Sequence, residues 1–447
     1  MSTWFKPGVA NDGDETDNYL AQARVGASGG DYWNWYIVIS AGVNNDRIYL
    51  GGSQDGVALT LYTDMLFRDP NAWYHMVAVW DSTEAETDRV KMYVNGNRLT
   101  DWRSGASQDY PTASLVCPFN ETGFEMDVGG RTGNNGFCDG YLAQTVLVDG
   151  QALAASDFGS TDATTGEWKP KSDGEIRTAV GAFGNNGFLL SYENSSYLGY
   201  DYQTSDRSGT TNDLTVVGPG FQSQDNPSNN WCTLDMLGPS QSNSGGSLTM
   251  GNNYVQCSSD STWRSTYGTF ANYKGKYYFE AEVTAIGGGT YIGVIDTEQH
   301  TANNQNFKEN SRAYSYKNDG EKFNNDVGAT YGDSYTTADI IGCALDLTNG
   351  AIWFSKNGVW QNSATIGEIG AGTTTNAAYA AITLSELYLY GPAISGKTNT
   401  KLKMNFGNGY FGTTVITSAG TNASGIGQFE YDVPTNFTAW STKGFNE

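Results

Sequence analysis

The chain has 447 residues and a formal net charge of −23 at pH 7, and no cluster of Lys and Arg interrupts that negative charge. Phosphate backbones and anionic lipid surfaces would repel such a chain, so no nucleic acid partner and no membrane insertion are expected. Glycine (56 residues) and tyrosine (28) are abundant while proline (10) is scarce, a composition typical of strands and turns.

Short strand-like segments recur along the first part of the chain. They lie at 36–42, 46–52, 57–64, 73–81, 90–94 and 140–150, and Gly, Asn, Asp or Pro residues bound them. Regularly spaced short strands with turn residues between them predict an antiparallel β-sandwich rather than βαβ units.

A second set of strand-like segments lies at 275–285, 290–296, 338–360 and 402–411. Because one hydrophobic core rarely serves a chain of 447 residues, we expect a second sandwich there. The stretch between the two sets is rich in Ser, Asn, Gly and Asp, which predicts a connector with a flexible part near 241–247. The predicted domains are a first sandwich at 1–190, a connector at 191–253 and a second sandwich at 254–447.

Two Asn-Gly pairs predict β-hairpins, one in each sandwich. Asn95-Gly96 and Asn357-Gly358 each stand between short runs that alternate apolar and polar residues. The favoured two-residue hairpin turn needs positive φ at both central positions, which Asn and Gly adopt most readily. We expect each hairpin to close a strand pair near the end of its own sheet.

The segments RDPNAWYHMVAVWD (68–81), FCDGYLAQTVLVDG (137–150) and TTGEWKPK (164–171) together resemble the laminin-G/concanavalin-A-like domain of structural proteins from tailed bacteriophages. Downstream, WRSTYGTF (263–270), ALDLTNGAIWFSKNGVWQ (344–361) and MNFGNGYF (404–411) resemble a SPRY domain, which often follows the lectin-like domain in those phage proteins. The resemblance implies an all-β fold of two antiparallel β-sandwiches, a concanavalin-A-like jelly roll and then a SPRY-like sandwich, joined by a Ser/Asn/Gly-rich connector.

The same resemblance implies a non-enzymatic virion structural protein on the exposed surface of a bacteriophage particle. A tail fibre or appendage that binds host-surface glycan is the first expectation, and a capsid decoration or head-fibre protein is the second. The expected partners are other virion proteins and further copies of the chain, in a homo-oligomer such as a trimer, and no cofactor is implied. A cellular SPRY-containing interaction protein is the alternative outside phages.

The start of the chain departs from the phage pattern. In that family a further strand usually precedes the segment that matches STWFKPG (2–8). Either that strand is dispensable or a neighbouring subunit supplies it by strand addition.

A polysaccharide-degrading glycoside hydrolase is the alternative of another class, and it depends on the run ETGFEMDVGGR (121–131). Laminarinase-type retaining enzymes carry a Glu-x-Asp-x-x-Glu run, in which two carboxylates on one strand face act as nucleophile and acid/base. Glu125 and Asp127 fit the first two places, but Gly129 and Gly130 stand where the second catalytic Glu is required. We therefore predict no catalytic residue and interpret the run as an edge strand with polar residues.

Neither His75 nor the acidic run near the start of the chain is predicted as a functional site. His75 lies inside a predicted strand, so we expect it to be packed or hydrogen-bonded rather than catalytic. The acidic residues Asp12, Asp14, Glu15 and Asp17 depart from the D-x-D-x-[DN]-G spacing of calcium loops, which favours a solvated loop and predicts no metal site.

Aromatic residues near turns are the remaining candidates for binding, because sugars stack on flat aromatic faces. In the second sandwich the segment 314–326 is similar to a loop at the partner surface of SPRY domains. The predicted ligand-binding residues are Trp33, Trp35, Tyr36, Tyr314, Tyr316, Tyr331, Tyr335 and Trp360. The alternative for each of them is a strand residue packed in the core.

Overall fold

Strands carry almost all of the regular structure in this computed structural model, which describes residues 1–8, 17–25, 31–38, 46–121, 123–131, 137–207, 211–218, 220–235, 247–257, 261–300 and 305–446. The chain divides into two compact units, Met1–Gln222 and Ser223–Glu447. Each unit contains two large antiparallel sheets, and the described ranges hold only two short α-helices. The predicted all-β fold of two sandwiches is confirmed.

The first unit is a sandwich of two sheets. Its strands are β1 (Ser2–Pro7), β2 (Asp17–Arg24), β3 (Tyr32–Val38), β4 (Ile48–Gln54), β5 (Val57–Tyr62), β6 (Tyr74–Trp80), β7 (Val90–Val94), β8 (Asn97–Arg98), β9 (Glu125–Val128), β10 (Gly140–Leu147), β11 (Gly159–Thr161), β12 (Trp168–Pro170) and β13 (Phe188–Leu190), and its helix is α1 (Asp173–Val180). Sheet 1 has the strand order β13-β10-β1-β6-β7-β8, sheet 2 has the order β5-β4-β3-β2-β9, and β11 pairs with β12 in a separate ribbon.

The core of the first unit lies between sheets 1 and 2. Alternate residues of β3, namely Trp33, Trp35 and Ile37, are 4% exposed or less and belong to one buried cluster with Phe5 and Met76 of sheet 1. Because successive strand residues point to opposite faces, this alternation assigns one face of β3 to the core.

Helix α1 covers the other face of sheet 1. Its first turn is closed by a capping box, in which Glu175 N donates to Ser172 Oγ (3.3 Å) and Ser172 N donates to Glu175 Oε2 (2.9 Å). Ile176 and Val180 are buried and pack in one cluster with Val77 of β6.

Strand β1 is paired on both edges, with β6 on one side and β10 on the other. The structure therefore leaves no open edge at β1 that a strand from a neighbouring subunit would have to complete.

The second unit is also a two-sheet sandwich. Its strands are β14 (Ser247–Thr249), β15 (Tyr254–Gln256), β16 (Arg264–Tyr267), β17 (Lys276–Ala285), β18 (Thr290–Asp296), β19 (Ala313–Lys317), β20 (Glu321–Asn324), β21 (Val327–Thr330), β22 (Ile340–Asp346), β23 (Ala351–Lys356), β24 (Val359–Trp360), β25 (Tyr390–Gly396), β26 (Lys401–Asn405), β27 (Tyr410–Phe411), β28 (Thr414–Val415) and β29 (Thr438–Ala439), and its helix is α2 (Ile366–Gly370). Sheet 3 has the order β14-β15-β26-β17-β22-β23-β24, with β29 parallel to β17, and sheet 4 has the order β16-β25-β18-β19-β20-β21.

Both faces of sheet 3 are covered. Phe429, Val433 and Phe437 from the end of the chain pack in one buried cluster with Tyr278 of β17 and Trp353 of β23. For this reason β22 and β23 are continuous apolar runs and do not alternate with polar residues.

Both predicted hairpins are confirmed. Asn95 and Gly96 have φ of 46° and 81°, and Asn357 and Gly358 have φ of 49° and 77°. The hairpins join β7 to β8 and β23 to β24, and β8 and β24 are edge strands of their sheets.

Part of the expected connector belongs to the second unit. Cys232 N donates to Trp440 O (2.9 Å), and Thr442 N donates to Asn230 O (2.9 Å), so these residues pair with the end of the chain. The segment expected to be flexible, 241–247, lies outside the described residues apart from Ser247. The domain boundaries after residues 190 and 253 stay a prediction.

Among the helices of the described ranges, none is long and apolar enough to cross a membrane.

Candidate functional site

The aromatic residues predicted at the start of the first unit lie on two faces of sheet 2. Trp33 and Trp35 are 4% and 1% exposed and point into the core. Tyr36 is half-buried on the opposite face, with its ring centroid 4.8 Å from that of Tyr19 and 4.9 Å from that of Tyr49. The sequence neighbours Trp35 and Tyr36 therefore do not form one ligand platform.

Three of the predicted residues in the second unit meet in a buried cluster. The ring centroid of Tyr316 lies 5.5 Å from that of Tyr331 and 5.2 Å from that of Tyr335. Their hydroxyl groups bind main chain: Tyr316 Oη donates to Asp333 O, and Tyr335 Oη donates to Thr290 O (3.0 Å). These tyrosines fasten the segment that leads from β21 to β22.

The other two predicted residues lie elsewhere in the second unit. The Tyr314 ring is packed between Tyr379 and Tyr390, at centroid distances of 5.1 and 6.1 Å. Trp360 belongs to the buried cluster that covers one face of sheet 3, beside Tyr278.

The segment 314–326, expected as a partner-binding loop, is largely a β-hairpin of sheet 4 formed by β19 and β20. The expected loop conformation is wrong, because the residues pair in two strands and leave only a short turn at 318–320, while partner binding by this segment stays a prediction. Seven of the eight predicted aromatic residues are 9% exposed or less, and only Tyr36 is more open. Ligand binding at these positions stays a prediction, without an open ring face at those seven residues to support it.

The two carboxylates of the glucanase-like run lie on β9, which is the edge strand of sheet 2 as predicted. Glu125 stands opposite Arg24 and Asp127 stands opposite Gln22 in the ladder with β2. The run continues into Gly129 with φ of 69°, a turn conformation rather than a strand position. The structure therefore brings no second glutamate of this run onto the strand face.

His75 is packed and hydrogen-bonded, as expected. It is fully buried, its ring stacks on Trp4 at 4.7 Å, and burial lowers its pKa to about 3. Trp168 Nε1 donates to Nδ1 (3.0 Å), so the ring proton is on Nε2, which donates to Ser2 Oγ (2.8 Å).

The acidic run that contains Asp12, Asp14 and Glu15 lies outside the described residues, and the structure describes no side chain for Asp17. Within the described ranges, no group of three or more His, Cys, Asp or Glu residues is placed to hold a metal ion.

An exposed apolar loop that the sequence did not point to precedes β25. We name residues 383–389, TLSELYL, the leucine loop. Leu384 is 38% exposed, Leu387 is 78% exposed and Leu389 is 39% exposed. Single exposed apolar residues are ordinary on protein surfaces, but three leucines within six residues form a patch of the kind that marks interaction sites.

Four hydrogen bonds hold the two ends of the leucine loop. At the first end, Thr383 N donates to Tyr314 Oη (3.2 Å) and Tyr390 Oη donates to Thr383 O (2.7 Å). At the second end, Leu389 N donates to Asp296 Oδ1 (3.1 Å) and Thr297 N donates to Leu389 O (2.9 Å). The predicted site residue Tyr314 thus accepts one of the hydrogen bonds that hold the loop.

An ion pair between a buried carboxylate and a partly exposed arginine lies at the second end of the loop. Asp296 is fully buried, and its second carboxylate oxygen accepts a hydrogen bond from Arg312 Nε. The Arg312 guanidinium in turn lies 4.1 Å from the centroid of the Tyr388 ring, a cation–π contact. A buried carboxylate is costly without a paired cation, so Asp296 stays beside Arg312. The loop is therefore hydrogen-bonded to a carboxylate whose position is fixed.

The sequence carries little signal for this loop. LSELYLY (384–390) reads as an apolar run that leads into a strand, yet the strand begins only at Tyr390. The residues that hold the loop, Tyr314 and Asp296, come from β19 and β18 and are distant in sequence.

Residues 276–409 match the SPRY domain family. The second unit contains a SPRY domain. The match begins at the start of β17, ends after β26 and includes the whole leucine loop. The SPRY part of the resemblance is thereby confirmed.

Curated relatives are similar over part of their length. The Ran-binding proteins 9/10 homolog of Drosophila melanogaster is 36% identical over 87 residues, which cover 19% of this chain and 9% of the relative. Ran-binding protein 9 of Homo sapiens is 34% identical over 86 residues, covering 19% of this chain and 12% of the relative. The SPRY domain of human HERC1 is a similar solved structure, with 18% identity and a TM-score of 0.26, covering 34% of this chain and 87% of that one.

These relatives correct the phage-based expectations. They are eukaryotic proteins named for Ran binding, so the assignment to a bacteriophage virion, as tail fibre or as capsid decoration, is wrong. The expected virion partners, the host-surface glycan and the location on a particle surface fall with that assignment. The resemblance failed here because the SPRY motifs, which match proteins from unrelated sources, carry no information on the source of the chain.

Proposed function

We propose that the second unit is a protein-interaction module whose leucine loop binds an apolar segment of a partner protein. The observation that carries this proposal is the 78% exposure of Leu387 in a loop held by four hydrogen bonds within the SPRY domain. A loop that is already fixed loses little conformational entropy on binding, which favours affinity. The relatives named for Ran binding support protein binding as the class of function.

The net charge of the chain indicates which charge the partner segment carries. With a net charge of −23, this protein attracts basic segments and repels acidic ones. The proposed partner segment therefore combines an apolar residue that packs on Leu387 with Lys or Arg residues beside it.

We infer further that the chain is non-enzymatic. The neutral, buried His75 and the missing second glutamate after Asp127 support this inference. We also infer that the first unit is a laminin-G/concanavalin-A-like sandwich, which its two antiparallel sheets with an intervening core support.

A selection of random dodecapeptides displayed on phage against the full chain tests the leucine loop. We expect enriched peptides with apolar and basic residues, and synthetic copies should bind Leu387→Asp at least about tenfold more weakly, about 1.4 kcal/mol. The matched control is Val359→Asp, because Val359 is 67% exposed on the edge strand β24 and lies outside the loop. Absence of enrichment, or equal loss of binding in both variants, would contradict the proposal.

A further inference from the structure

The first unit contains a cavity of about 330 Å³ at the end of the sandwich where β6 and β10 end. Segment 115–119 and the loop 148–153 contribute its walls, together with Trp80 and Leu147. Small-molecule sites in proteins occupy roughly 300–1,000 Å³, so this cavity is large enough for a small ligand.

Hydrogen bonds fix the walls of the cavity. Trp80 Nε1 donates to Leu115 O (3.1 Å), which holds the segment that contains Val116 against β6. On the opposite wall, Asp149 N donates to Phe183 O (2.8 Å). The cavity is therefore a preformed site rather than a gap between unattached loops.

Three tryptophans are among the residues that line the cavity. Trp33 and Trp80 meet edge to face with ring centroids 4.8 Å apart, and Trp35 lies beside them. Trp35 is 1% exposed, and its Nε1 has no hydrogen-bond partner in the described part of the chain. Trp33 is 4% exposed, so the half-buried Trp80 is the tryptophan whose ring can meet a ligand.

The charged side chains of the lining are two carboxylates. Asp81 and Asp149 line the cavity, whereas no Lys, Arg or His does, and burial lowers the pKa of the Met1 amino group in the lining to about 6, so it is largely neutral at pH 7. The Thr83 hydroxyl and amide donate to Asp81 Oδ1 (2.6 and 3.1 Å) and hold the pKa of Asp81 below its ordinary value, so it is ionised at neutral pH. Asn185 N donates to Asp149 Oδ2 (3.1 Å) and fixes that carboxylate.

We propose that this cavity binds an organic ammonium ion, that is, a small cation with an apolar body. The half-buried Trp80 offers a ring face, tryptophan attracts cations more strongly than other aromatic residues do, and the two carboxylates add Coulombic attraction. The apolar remainder of the lining suits the body of the ligand, and the net charge of −23 raises the local concentration of cations. Anionic amphiphiles are disfavoured by the same charges.

Three probes that share one hexyl chain test this proposal on the full protein: hexyltrimethylammonium, hexanol and hexanoate. Tryptophan fluorescence and titration calorimetry should give saturable binding of the ammonium ion, at least about tenfold tighter than hexanoate. Asp149→Asn should weaken binding of the ammonium ion several-fold and leave hexanol binding unchanged, because only the charged head meets the carboxylate.

A variant with a filled cavity distinguishes ligand binding in the cavity from ligand binding elsewhere on the surface. Val116 lines the cavity and is 51% exposed, so Val116→Trp should fill the entrance and reduce ammonium binding at least about tenfold. Val217→Trp is the matched control, because Val217 is 78% exposed in the same unit and does not line the cavity. Lack of saturable binding, hexanol binding as tight as ammonium binding, or full binding by Val116→Trp would each overturn the proposal.

Discussion

Glu280 of β17 holds the segment that covers one face of sheet 3. Its carboxylate is fully buried and accepts hydrogen bonds from Glu430 N (2.8 Å), Tyr431 N (2.9 Å), Tyr278 Oη (3.1 Å) and Asn405 Nδ2 (3.2 Å). Two of these donors are main-chain groups of the segment that covers the sheet. One side chain of β17 therefore fastens the end of the chain to the domain.

The protonation of Glu280 makes stability depend on pH. Burial raises its pKa from 4.5 to about 7, although the two main-chain N–H groups act in the opposite direction. Between these two values the folded protein holds a proton that the unfolded chain has lost. The contribution of Glu280 to the free energy of unfolding therefore falls as the pH rises from 4.5 to 7, and it is constant above that range.

Glu280→Gln should destabilise the protein at pH 5 by about 1–2 kcal/mol, because the amide NH₂ of Gln only donates, whereas the hydroxyl of the protonated carboxyl can still accept from one of the four donors. The difference from the native protein should narrow between pH 5 and pH 8, since Gln does not titrate. Urea unfolding at several pH values measures both effects.

The control for Glu280 lies on the same strand. Glu282 pairs with Lys403 (3.3 Å) and is partly exposed, so Glu282→Gln should cost less than about 1 kcal/mol. A difference between Glu280→Gln and the native protein that widens with rising pH would show that the carboxylate is stabilised in its ionised form.

Hairpin turns illustrate what one element requires of its residues. Gly56 and Gly96 both occupy turns of the first unit with positive φ, 75° and 81°. A Cβ on Gly56 meets no atom within 4 Å, whereas a Cβ on Gly96 would lie 2.6 Å from the Trp168 ring. Comparing an alanine substitution at the two positions therefore distinguishes the cost of backbone strain from the cost of a steric clash.

Gly56→Ala should lower the free energy of unfolding by about 1 kcal/mol, the cost of placing a Cβ in the left-handed region. Gly96→Ala should cost at least about 1 kcal/mol more, because Trp168 must move and weaken its hydrogen bond to His75. Chemical denaturation of both variants measures the difference, and equal costs would contradict the role assigned to Trp168.

The leucine loop should respond to the loss of a single anchor. Tyr314→Phe removes the acceptor of the Thr383 amide, so hydrogen exchange at Thr383 should become faster while global stability changes by less than about 1.5 kcal/mol. Tyr316→Phe on the same strand is the control, because its hydroxyl binds Asp333 O at another segment. Unchanged exchange at Thr383 in Tyr314→Phe would show that the other anchors hold the loop alone.

Elements that depend on neighbouring residues could be predicted from the sequence. Sites that depend on contacts between residues far apart in the sequence could not. The Asn95-Gly96 and Asn357-Gly358 turns follow from two adjacent residues, and the structure has both. The burial of Trp360 depends on the segment near Phe429, and the exposure of Leu387 depends on where Asp296 and Tyr314 hold its loop. Alternation along a strand assigns residues to faces but does not say which face is covered.

At the scale of the whole molecule, each unit has its own core. Within the described residues, the clusters around Trp35 and Val77 lie in the first unit and the cluster around Trp353 lies in the second. We therefore expect the second unit, residues 223–447, to fold when it is expressed alone. A cooperative unfolding transition and an ordered near-ultraviolet circular dichroism spectrum are the measurements.

A shorter fragment tests which residues the second unit requires. Trp231 is 2% exposed, belongs to the cluster around Trp353, and donates from Nε1 to Gln224 O (2.9 Å). Residues 254–447 lack Trp231 and the strand β14, and loss of a buried Trp side chain costs about 3–5 kcal/mol. Because a domain is stable by only about 5–15 kcal/mol, that fragment should unfold at clearly lower urea concentration than 223–447. Equal midpoints would place Trp231 outside the cooperative unit and support a domain that begins near residue 254.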